Sequence, residues 1–321
     1  MLAEVINVTA NGHRETADVR VYQESPDPVA VLAALGLISP LRVTPVTGGA
    51  DAAIWRVGYD GADYALRLLR AEQAATARRE AVVTAAAAAA GIPVPRVLAE
   101  GSWENRPALL LSWMPGRLLR HELERCPWRA WALGVRFGRI QAAIHAAPVP
   151  AVLRRHPVSW IEWAEPDAAL RDRLRRSSDG EVLLHLDYHP ANVLVEGGRV
   201  SAVLDWANAR AGDRRADLAR TAAILRFAPL AVRPSSGTAI VRRAFIAGWR
   251  HGYRGMAGRV TGMAPFYAWA AAVMSHDLAP RVGRTDLPWL SPALLAEIRR
   301  WGDGWRASAN RDGSSGMADR S

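Results

Sequence analysis

The order of strand and helix patterns along the chain constrains its fold more than any other feature of the sequence. A β-rich first third is followed by a mainly helical remainder, and Pro115-Gly116 marks the break between them. Because a sheet and a group of helices each bury their own apolar face, this order predicts an α+β fold of two lobes with a cleft between them. The predicted strands of the first lobe are 41–47, 52–57, 64–69, 96–100 and 108–113, with one long helix at 72–90.

The second lobe contains one β-rich island among its helices. Short strands are predicted at 182–186, 193–195 and 200–204, and the last two are joined by the Gly197-Gly198 turn. Two strands joined by a tight turn form a hairpin, which brings its two outer ends together. The predicted helices around the island are 128–146, 214–227, 237–254, 264–278 and 292–307.

Composition divides the chain into four regions. Residues 1–27 form a polar N-terminal extension, residues 28–114 the N-lobe, and residues 115–308 the C-lobe. We expect residues 309–321 to be a disordered tail, because this Gly-, Ser- and Asp-rich segment has little apolar surface to bury.

All strongly basic residues of the chain are arginines. There are 41 of them against 31 acidic residues, for a net charge of +10, and the sequence contains no lysine. This excludes chemistry that needs a Schiff-base lysine, a lysine general base or a P-loop lysine. The arginines are spread along the chain rather than gathered in one block, so nucleic acid is not an expected partner.

We expect a cytoplasmic protein without a membrane partner. The longest apolar stretch, 85–94, is well short of the ~18 residues that a membrane span needs. Residues 1–20 carry charges throughout, unlike a secretory signal. Cys126 is the only cysteine, which excludes a disulfide framework within the chain.

The β-rich island carries the residues best suited to catalysis or to metal binding. Asp187 follows an apolar strand, Asn192 lies in the loop after it, and Asp205 ends the return strand of the hairpin. We expect these three side chains to converge at one rim, where two carboxylates and an amide oxygen suit Mg²⁺ with phosphate oxygens better than zinc. Two alternatives remain open: turn residues without chemistry, and a hydrolytic metal cluster of His185, Asp187 and His189.

A wider pattern surrounds these residues. The sequence H-x-D-x-H-x-x-N from His185 to Asn192, followed by a Gly turn and Leu204-Asp205-Trp206, resembles the aminoglycoside phosphotransferase and choline kinase group of protein-kinase-like small-molecule kinases. Further matches in the expected order extend the resemblance over roughly residues 41–225. It implies a bilobal protein-kinase-like fold, with an N-lobe that binds nucleotide and a C-lobe that carries a catalytic hairpin.

The resemblance implies roles for residues of the island. Asp187 would accept the proton of a substrate hydroxyl and orient its oxygen toward the γ-phosphorus of ATP or another nucleoside triphosphate. Asn192 and Asp205 would hold Mg²⁺. His185 would brace the catalytic loop, and Asp217 would hydrogen-bond the backbone of that loop.

The resemblance also implies a nucleotide site in the N-lobe. Arg67, oriented by Glu80, would contact the α- and β-phosphates. Protein kinases carry lysine at this position, and a guanidinium can clamp two oxygens where an ammonium acts as a point charge. The remaining implied contacts are Gly48 and Gly49 with the phosphates, and the backbone near Ser112 and Trp113 with the adenine.

The expected acceptor is a small molecule with a hydroxyl group. Residues 207–308, which build the acceptor pocket in the resembled group, contain 16 arginines and six acidic residues. A polycationic aminoglycoside would need clustered carboxylates around its ammonium groups, so a neutral or anionic acceptor is favoured. His189, His276 and Asp277 are candidate substrate contacts.

Other functions stay open on the sequence alone. They are a nucleotide-binding regulator that has lost turnover, an aminoglycoside phosphotransferase proper, and a basic nucleic-acid-binding protein. The intact set of Asp187, Asn192 and Asp205 argues against the regulator. The sequence does not determine the oligomeric state or the choice between ATP and GTP.

Overall fold

The computed structural model combines an antiparallel sheet in its N-terminal part with a mainly helical C-terminal part, which confirms the α+β class. It describes residues 26–37, 40, 42–46, 52–156, 158–230, 237–285 and 287–318. None of the described helices combines the length and apolar character that crossing a bilayer requires. The described strands are β1 (Arg42–Pro45), β2 (Ala52–Tyr59), β3 (Ala62–Leu69), β4 (Val97–Trp103), β5 (Arg106–Ser112), β6 (Arg117–Leu118), β7 (Val182–Leu184), β8 (Val193–Glu196), β9 (Arg199–Val203) and β10 (Arg210–Gly212). The described α-helices are α1 (Pro28–Ala34), α2 (Ala74–Ala89), α3 (Leu119–Arg125), α4 (Ala130–Ala146), α5 (Ala151–Arg154), α6 (Ala168–Ser177), α7 (Arg214–Phe227), α8 (Thr238–Ala257), α9 (Ala264–Leu278) and α10 (Pro292–Ala318).

The N-lobe sheet has the strand order β1-β2-β3-β5-β4, with all neighbours antiparallel. Its two faces differ because side chains alternate along each strand. On β3, Leu66 and Leu68 enter a core shared with α1, whereas Leu69 packs with Ala77 of α2. The same alternation turns Arg67 toward α2 and away from the α1 core.

Helix α1 was not among the predicted elements. Asp27 Oδ1 accepts a hydrogen bond from the backbone N–H of Val29 at 2.9 Å, and Pro28 lies in the first turn. Both features favour a helix start, and they are the signal that would have found it. The helix has only seven residues, too few to give a periodic pattern, and it is stabilised mainly by burial of Val31 and Leu32.

The C-lobe contains a close crossing of α4 and α8. Gly134 and Gly138 on α4 meet Gly248 and Gly252 on α8. A Cβ atom on any of the four would lie 2.0 to 2.2 Å from a backbone carbonyl oxygen of the partner helix. The two backbones are therefore in direct contact, which only glycine permits at these positions.

Two predicted element ends differ from the structure. Helix α10 continues to residue 318, although we expected a disordered tail from residue 309. Ala309 is buried and Arg173 donates to Asn310 Oδ1 at 3.2 Å, so the start of this segment packs against the lobe. Strand β7 is two residues shorter than predicted because Leu186 has a left-handed φ of 60°, which no β-strand accommodates.

The helix crossing predicts opposite effects of two alanine substitutions on α8. Gly252→Ala will lower the free energy of unfolding by about 1–3 kcal/mol, because the new methyl group forces the helices apart. Gly255→Ala is the matched control: its Cβ position has no atom within 4 Å, so the change should stabilise the helix by up to ~1 kcal/mol. Chemical denaturation measures the free energy of unfolding of both variants. Equal stabilities of Gly252→Ala and Gly255→Ala would contradict the close contact of the two helices.

Candidate active site

One face of α7 holds the backbone of the loop 185–192. Leu186 has a left-handed φ of 60°, which costs a non-glycine residue about 1–3 kcal/mol. Its N–H donates to Asp217 Oδ1, and its carbonyl accepts from Arg220 Nε at 3.3 Å. Thr221 Oγ1 donates to the carbonyl of Tyr188 at 3.0 Å. Three side chains of α7 thus fix the loop backbone on both sides of the candidate base.

Asp217 is itself held by α4. It is fully buried, and its Oδ2 accepts from Gln141 Nε2 and lies near His145 Nε2, both at 2.9 Å. Burial raises the pKa of Asp217, but the hydrogen bond and charge of His145 outweigh it, so the pKa is lowered and the group stays ionised. From α8, Trp249 Nε1 donates to Gln141 at 2.7 Å, and the Tyr253 hydroxyl lies 2.8 Å from His145 Nδ1. The glycine crossing therefore supports the carboxylate that anchors the loop.

Asp187 is oriented by its neighbours in the loop. Asn192 Nδ2 donates to Asp187 Oδ2 at 3.0 Å and to its backbone carbonyl at 3.1 Å. His189 is 2% exposed, and its Nε2 lies 3.5 Å from Asp187 Oδ1. Asp187 Oδ1 is buried and accepts no hydrogen bond from the described residues. One oxygen of Asp187 is thus held in place, and the other remains available to a proton.

His185 braces the loop against the hairpin. It is fully buried, and its Nε2 donates to the carbonyl of Leu204 at 3.0 Å while its Nδ1 accepts from the N–H of Asp187 at 3.3 Å. Its ring centroid lies 4.7 Å from that of Trp206. Burial lowers the pKa of His185, so the imidazole is neutral. Both nitrogens are occupied, which leaves neither for a metal.

Asp205 lies where the charged groups of both lobes converge. Its Oδ1 is buried without a hydrogen bond from the described residues. Burial and the negative charges of Glu80 and Asp187, opposed by Arg67, raise the pKa of Asp205 to about 7. Because all three charges act on it, Asp205 lies within electrostatic reach of both the N-lobe and the loop 185–192.

The N-lobe contributes an ion pair that reaches the C-lobe. Arg67 Nη1 donates to Glu80 Oε1 at 2.8 Å, and the same oxygen accepts from the backbone N–H of Trp206 at 3.3 Å. Glu80 of α2 therefore holds the side chain of Arg67 by an ion pair, and it also binds the segment that follows Asp205 by a hydrogen bond. Gly48 and Gly49, the expected phosphate-covering residues, lie outside the described residues.

The donor set fits a hard divalent cation. Asp205 Oδ1 is buried and accepts no hydrogen bond from the described residues. Asn192 donates to the loop through Nδ2, so its amide oxygen takes no part in those bonds. Carboxylate and amide oxygens are preferred ligands of Mg²⁺.

The hydrolytic metal cluster is not supported by this geometry. Within the described ranges, no group of three His, Cys, Asp or Glu side chains is placed to hold a metal ion. His185 and Asp187 are joined instead by a hydrogen bond between the ring and the backbone.

The backbone N–H of Ser112, at the end of β5, is already hydrogen-bonded within the sheet region. The backbone N–H of Ser112 donates to the carbonyl of Arg96 at 2.9 Å, and Ser112 Oγ accepts from the N–H of Arg96 at 2.9 Å. The N–H of Ser112 is therefore unavailable to an adenine, because it is already paired with the chain before β4. Backbone groups near Ser112 and Trp113 stay the predicted adenine contacts, and the guanidinium of Arg56 lies 4.7 Å from the centre of the Trp113 ring.

His276 and Asp277 of α9 are linked to the loop 185–192 through Arg220. Asp277 Oδ1 accepts from Trp163 Nε1 at 3.2 Å and lies 3.3 Å from His276 Nδ1, and Arg220 Nη2 lies 3.6 Å from Asp277 Oδ2. The hydrogen bond with Asp277 raises the pKa of His276. Asp277 is a buried partner of other side chains, whereas the side chain of His276 is half exposed. In the described part of the chain, neither residue contacts Asp187.

Four supporting residues were missed from the sequence. Gln141 and His145 are four residues apart and give an otherwise apolar stretch of α4 two buried polar groups. Arg220 and Thr221 follow Asp217 by three and four residues, on the same face of α7. Polar residues at helical spacing on a buried face are the signal that would have identified them.

The fold has two lobes. A cation of the N-lobe is paired with a helix carboxylate, and an acidic loop and hairpin face that pair. This combination is that of a protein-kinase-like phosphotransferase. The model of the phosphotransferase enzyme family matches residues 42–259, and the chain belongs to this family. It is accordingly a small-molecule kinase, a phosphotransferase with an alcohol group as acceptor. No curated protein matches the sequence.

Solved structures share the fold at low sequence identity. Aminoglycoside phosphotransferase APH(4)-Ia is 17% identical, with a TM-score of 0.62 over 85% of this chain and 97% of that one. Spectinomycin phosphotransferase APH(9)-Ia is 13% identical, with a TM-score of 0.55 over 87% and 97%. An aminoglycoside-3′-phosphotransferase of type VIII is 19% identical, with a TM-score of 0.52 over 77% and 99%.

The raised pKa of Asp205 predicts a pH-dependent effect of removing its charge. Its folded-state pKa of about 7 exceeds the ordinary 3.8, so its contribution to stability is fully present below about pH 4 and is lost as the pH rises through about 7. Asp205→Asn should therefore unfold several degrees above the parent near pH 8 in EDTA, with a smaller difference near pH 5. Thermal unfolding at both pH values measures this, with the exposed Asp172→Asn as control. A difference that does not vary with pH would contradict the burial of this charge.

Proposed function

We propose that this chain transfers the γ-phosphoryl group of ATP to a hydroxyl group of a neutral or anionic small molecule. Asp187 is the base, and Asn192 and Asp205 are the ligands of Mg²⁺. The convergence of these groups carries the proposal: Asn192 donates to the Asp187 carboxylate at 3.0 Å, and the charge of Asp187 acts on Asp205. Phosphoryl transfer depends mainly on positioning and electrostatics, which is what this arrangement supplies.

Each group has a defined task in the transfer. Asp187 Oδ1 accepts the hydroxyl proton and aims the oxygen at the γ-phosphorus, while Asn192 holds the other carboxylate oxygen. Arg67, kept in place by Glu80, binds phosphate oxygens through its planar fork. When bound between Asn192 and Asp205, Mg²⁺ supplies positive charge to the phosphate oxygens.

The ligands bound in related structures support nucleotide use. APH(4)-Ia was crystallised with AMP-PNP and hygromycin B, and APH(9)-Ia with ADP and spectinomycin. We infer that ATP binds in the same cleft here, with its adenine near Trp113 and its phosphates toward Arg67.

The acceptor follows from the charge of the C-lobe. Residues 207–308 contain 16 arginines and six acidic residues. The three buried acids of this segment are already engaged: Asp213 by Arg215, Asp217 by the loop, and Asp277 by Trp163. A polycation would find few carboxylates to replace its hydration, so a sugar, a hydroxy acid or a macrolide-like compound fits better.

Replacing Asp187 tests the transfer step. Asp187→Asn keeps the shape of the side chain but removes the base, so kcat should fall by about 10²–10⁴-fold. The thermal stabilisation by Mg-ADP should persist, because the proposed metal ligands are unchanged. Single-turnover measurements with Asp172→Asn as control check this. Equal measurable rates for the parent and Asp187→Asn would contradict the role of Asp187 as base, and no turnover in the parent with any acceptor would favour a nucleotide-binding regulator.

An acceptor panel tests the charge argument. ATP consumption is measured with neutral sugars, hydroxy acids, a macrolide and a polycationic aminoglycoside. We expect turnover with neutral or anionic hydroxyl compounds, because the C-lobe is rich in arginine. Efficient turnover of the aminoglycoside alone would show that the charge argument is wrong while leaving the kinase proposal intact.

A further inference from the structure

Arg210 is a buried cation without a carboxylate partner. It lies on β10, five residues after Asp205, and is 9% exposed. Its Nη1 donates to the carbonyls of Asn208 at 3.3 Å and Ala209 at 2.9 Å, while its buried Nε makes no hydrogen bond with the described residues. Within the described ranges, no carboxylate lies at ion-pair distance from it. Its guanidinium lies 5.8 Å from the centre of the Trp163 ring.

Arg79 and His156 lie close to Arg210. Helix α5 packs against both α2, which carries Arg79, and β10, and His156 follows α5 by two residues. Burial, together with the charge of Arg79, lowers the pKa of Arg210 to about 10. Burial and the charges of both arginines lower the pKa of His156 to about 4. The three groups therefore share one positively charged region at the junction of α2, α5 and β10.

The carboxylate next to Arg79 in sequence is bonded elsewhere. Glu80 follows Arg79 in sequence and acts on it electrostatically. Its Oε1, however, is bonded to Arg67 and to the N–H of Trp206. Arg79 itself donates to Thr76 Oγ1 at 3.1 Å. Positive charge is thus in excess in a poorly hydrated region, which is costly unless an anion is bound there.

We propose that Arg79, Arg210 and His156 form a binding site for an oxyanion, either a phosphate or a carboxylate group. Guanidinium forks match the paired oxygens of both groups. Arg210 is buried, whereas Arg79 and His156 are half-buried. Because Arg79 precedes Glu80 and β10 follows Asp205, a bound oxyanion ties α2 to the segment that carries the proposed metal ligand.

The oxyanion has two possible sources, a free inorganic anion and an anionic group of the acceptor. Arg210 pairs across β7 with Leu184, three residues before Asp187. Strand β10 thus lies beside the strand that leads into the loop 185–192, which makes the acceptor a candidate source of the anion. The acceptor source rests on the proposed kinase function, whereas binding of an inorganic anion does not.

Thermal unfolding of the full chain tests the site directly. Sodium sulfate or sodium phosphate should raise the Tm by a few degrees above sodium chloride at equal ionic strength. Arg79→Gln and Arg210→Gln should lose that increment. Arg78→Gln, which removes the same charge from an exposed neighbouring position, should keep it. If Arg210→Gln does not fold, Arg79→Gln still decides the question. An equal increment in Arg78→Gln and Arg79→Gln, or none in the parent, overturns the proposal.

Steady-state kinetics then separate the two sources. If the acceptor supplies the anion, Arg79→Gln should raise the KM of a hydroxy acid about tenfold or more and leave the KM of ATP unchanged, and phosphate should compete with the hydroxy acid. If a free anion binds instead, the Tm increment persists and phosphate does not compete. Both outcomes support the site. Absence of turnover with every acceptor would count against the kinase function while leaving the thermal test valid.

Discussion

The hydrogen bond from the N–H of Leu186 to Asp217 is the contact on which the rest of the site depends. It stabilises a left-handed residue just before the candidate base, and so it determines where that base points. A buried carboxylate is stable only when it is fully hydrogen-bonded, and Gln141 and His145 supply those bonds. They in turn contact α8, whose glycines allow the two helices to touch. The geometry of the loop therefore depends on the crossing of α4 and α8. The packing of these helices, far from the cleft, offsets the free-energy cost of the left-handed conformation of Leu186.

Two neighbouring regions of this protein each contain an excess of buried charge of one sign. The region around Asp205 has an excess of carboxylates, and burial there raises the pKa of that residue to about 7. Five residues later, Arg210 has an excess of positive charge around it and a pKa of about 10. Unpaired buried charges of either sign favour bound ligands of the opposite sign. The segment between the two residues therefore separates a region suited to a cation from one suited to an anion.

The sequence predicted the parts of the molecule that follow local patterns. The α+β order, the loop and hairpin with their polar residues, and the pair of Arg67 with Glu80 could all be inferred from spacing or resemblance. It did not predict which polar groups are already engaged in hydrogen bonds with distant parts of the chain. Ser112 is paired with Arg96, and Asp277 is bonded to a tryptophan 114 residues away. Such pairings depend on how distant segments meet in three dimensions, and neither periodicity nor composition carries that information.

The guanidinium at position 67 also determines how the cleft can be labelled chemically. Nucleotide analogues that acylate a lysine beside the phosphates need a primary amine there, and this chain has no lysine at any position. Arg67 resists such reagents because its guanidinium remains protonated at ordinary pH. Profiling reagents designed for the phosphate-binding lysine of protein kinases would therefore leave this enzyme unmodified even when its cleft is fully loaded with nucleotide.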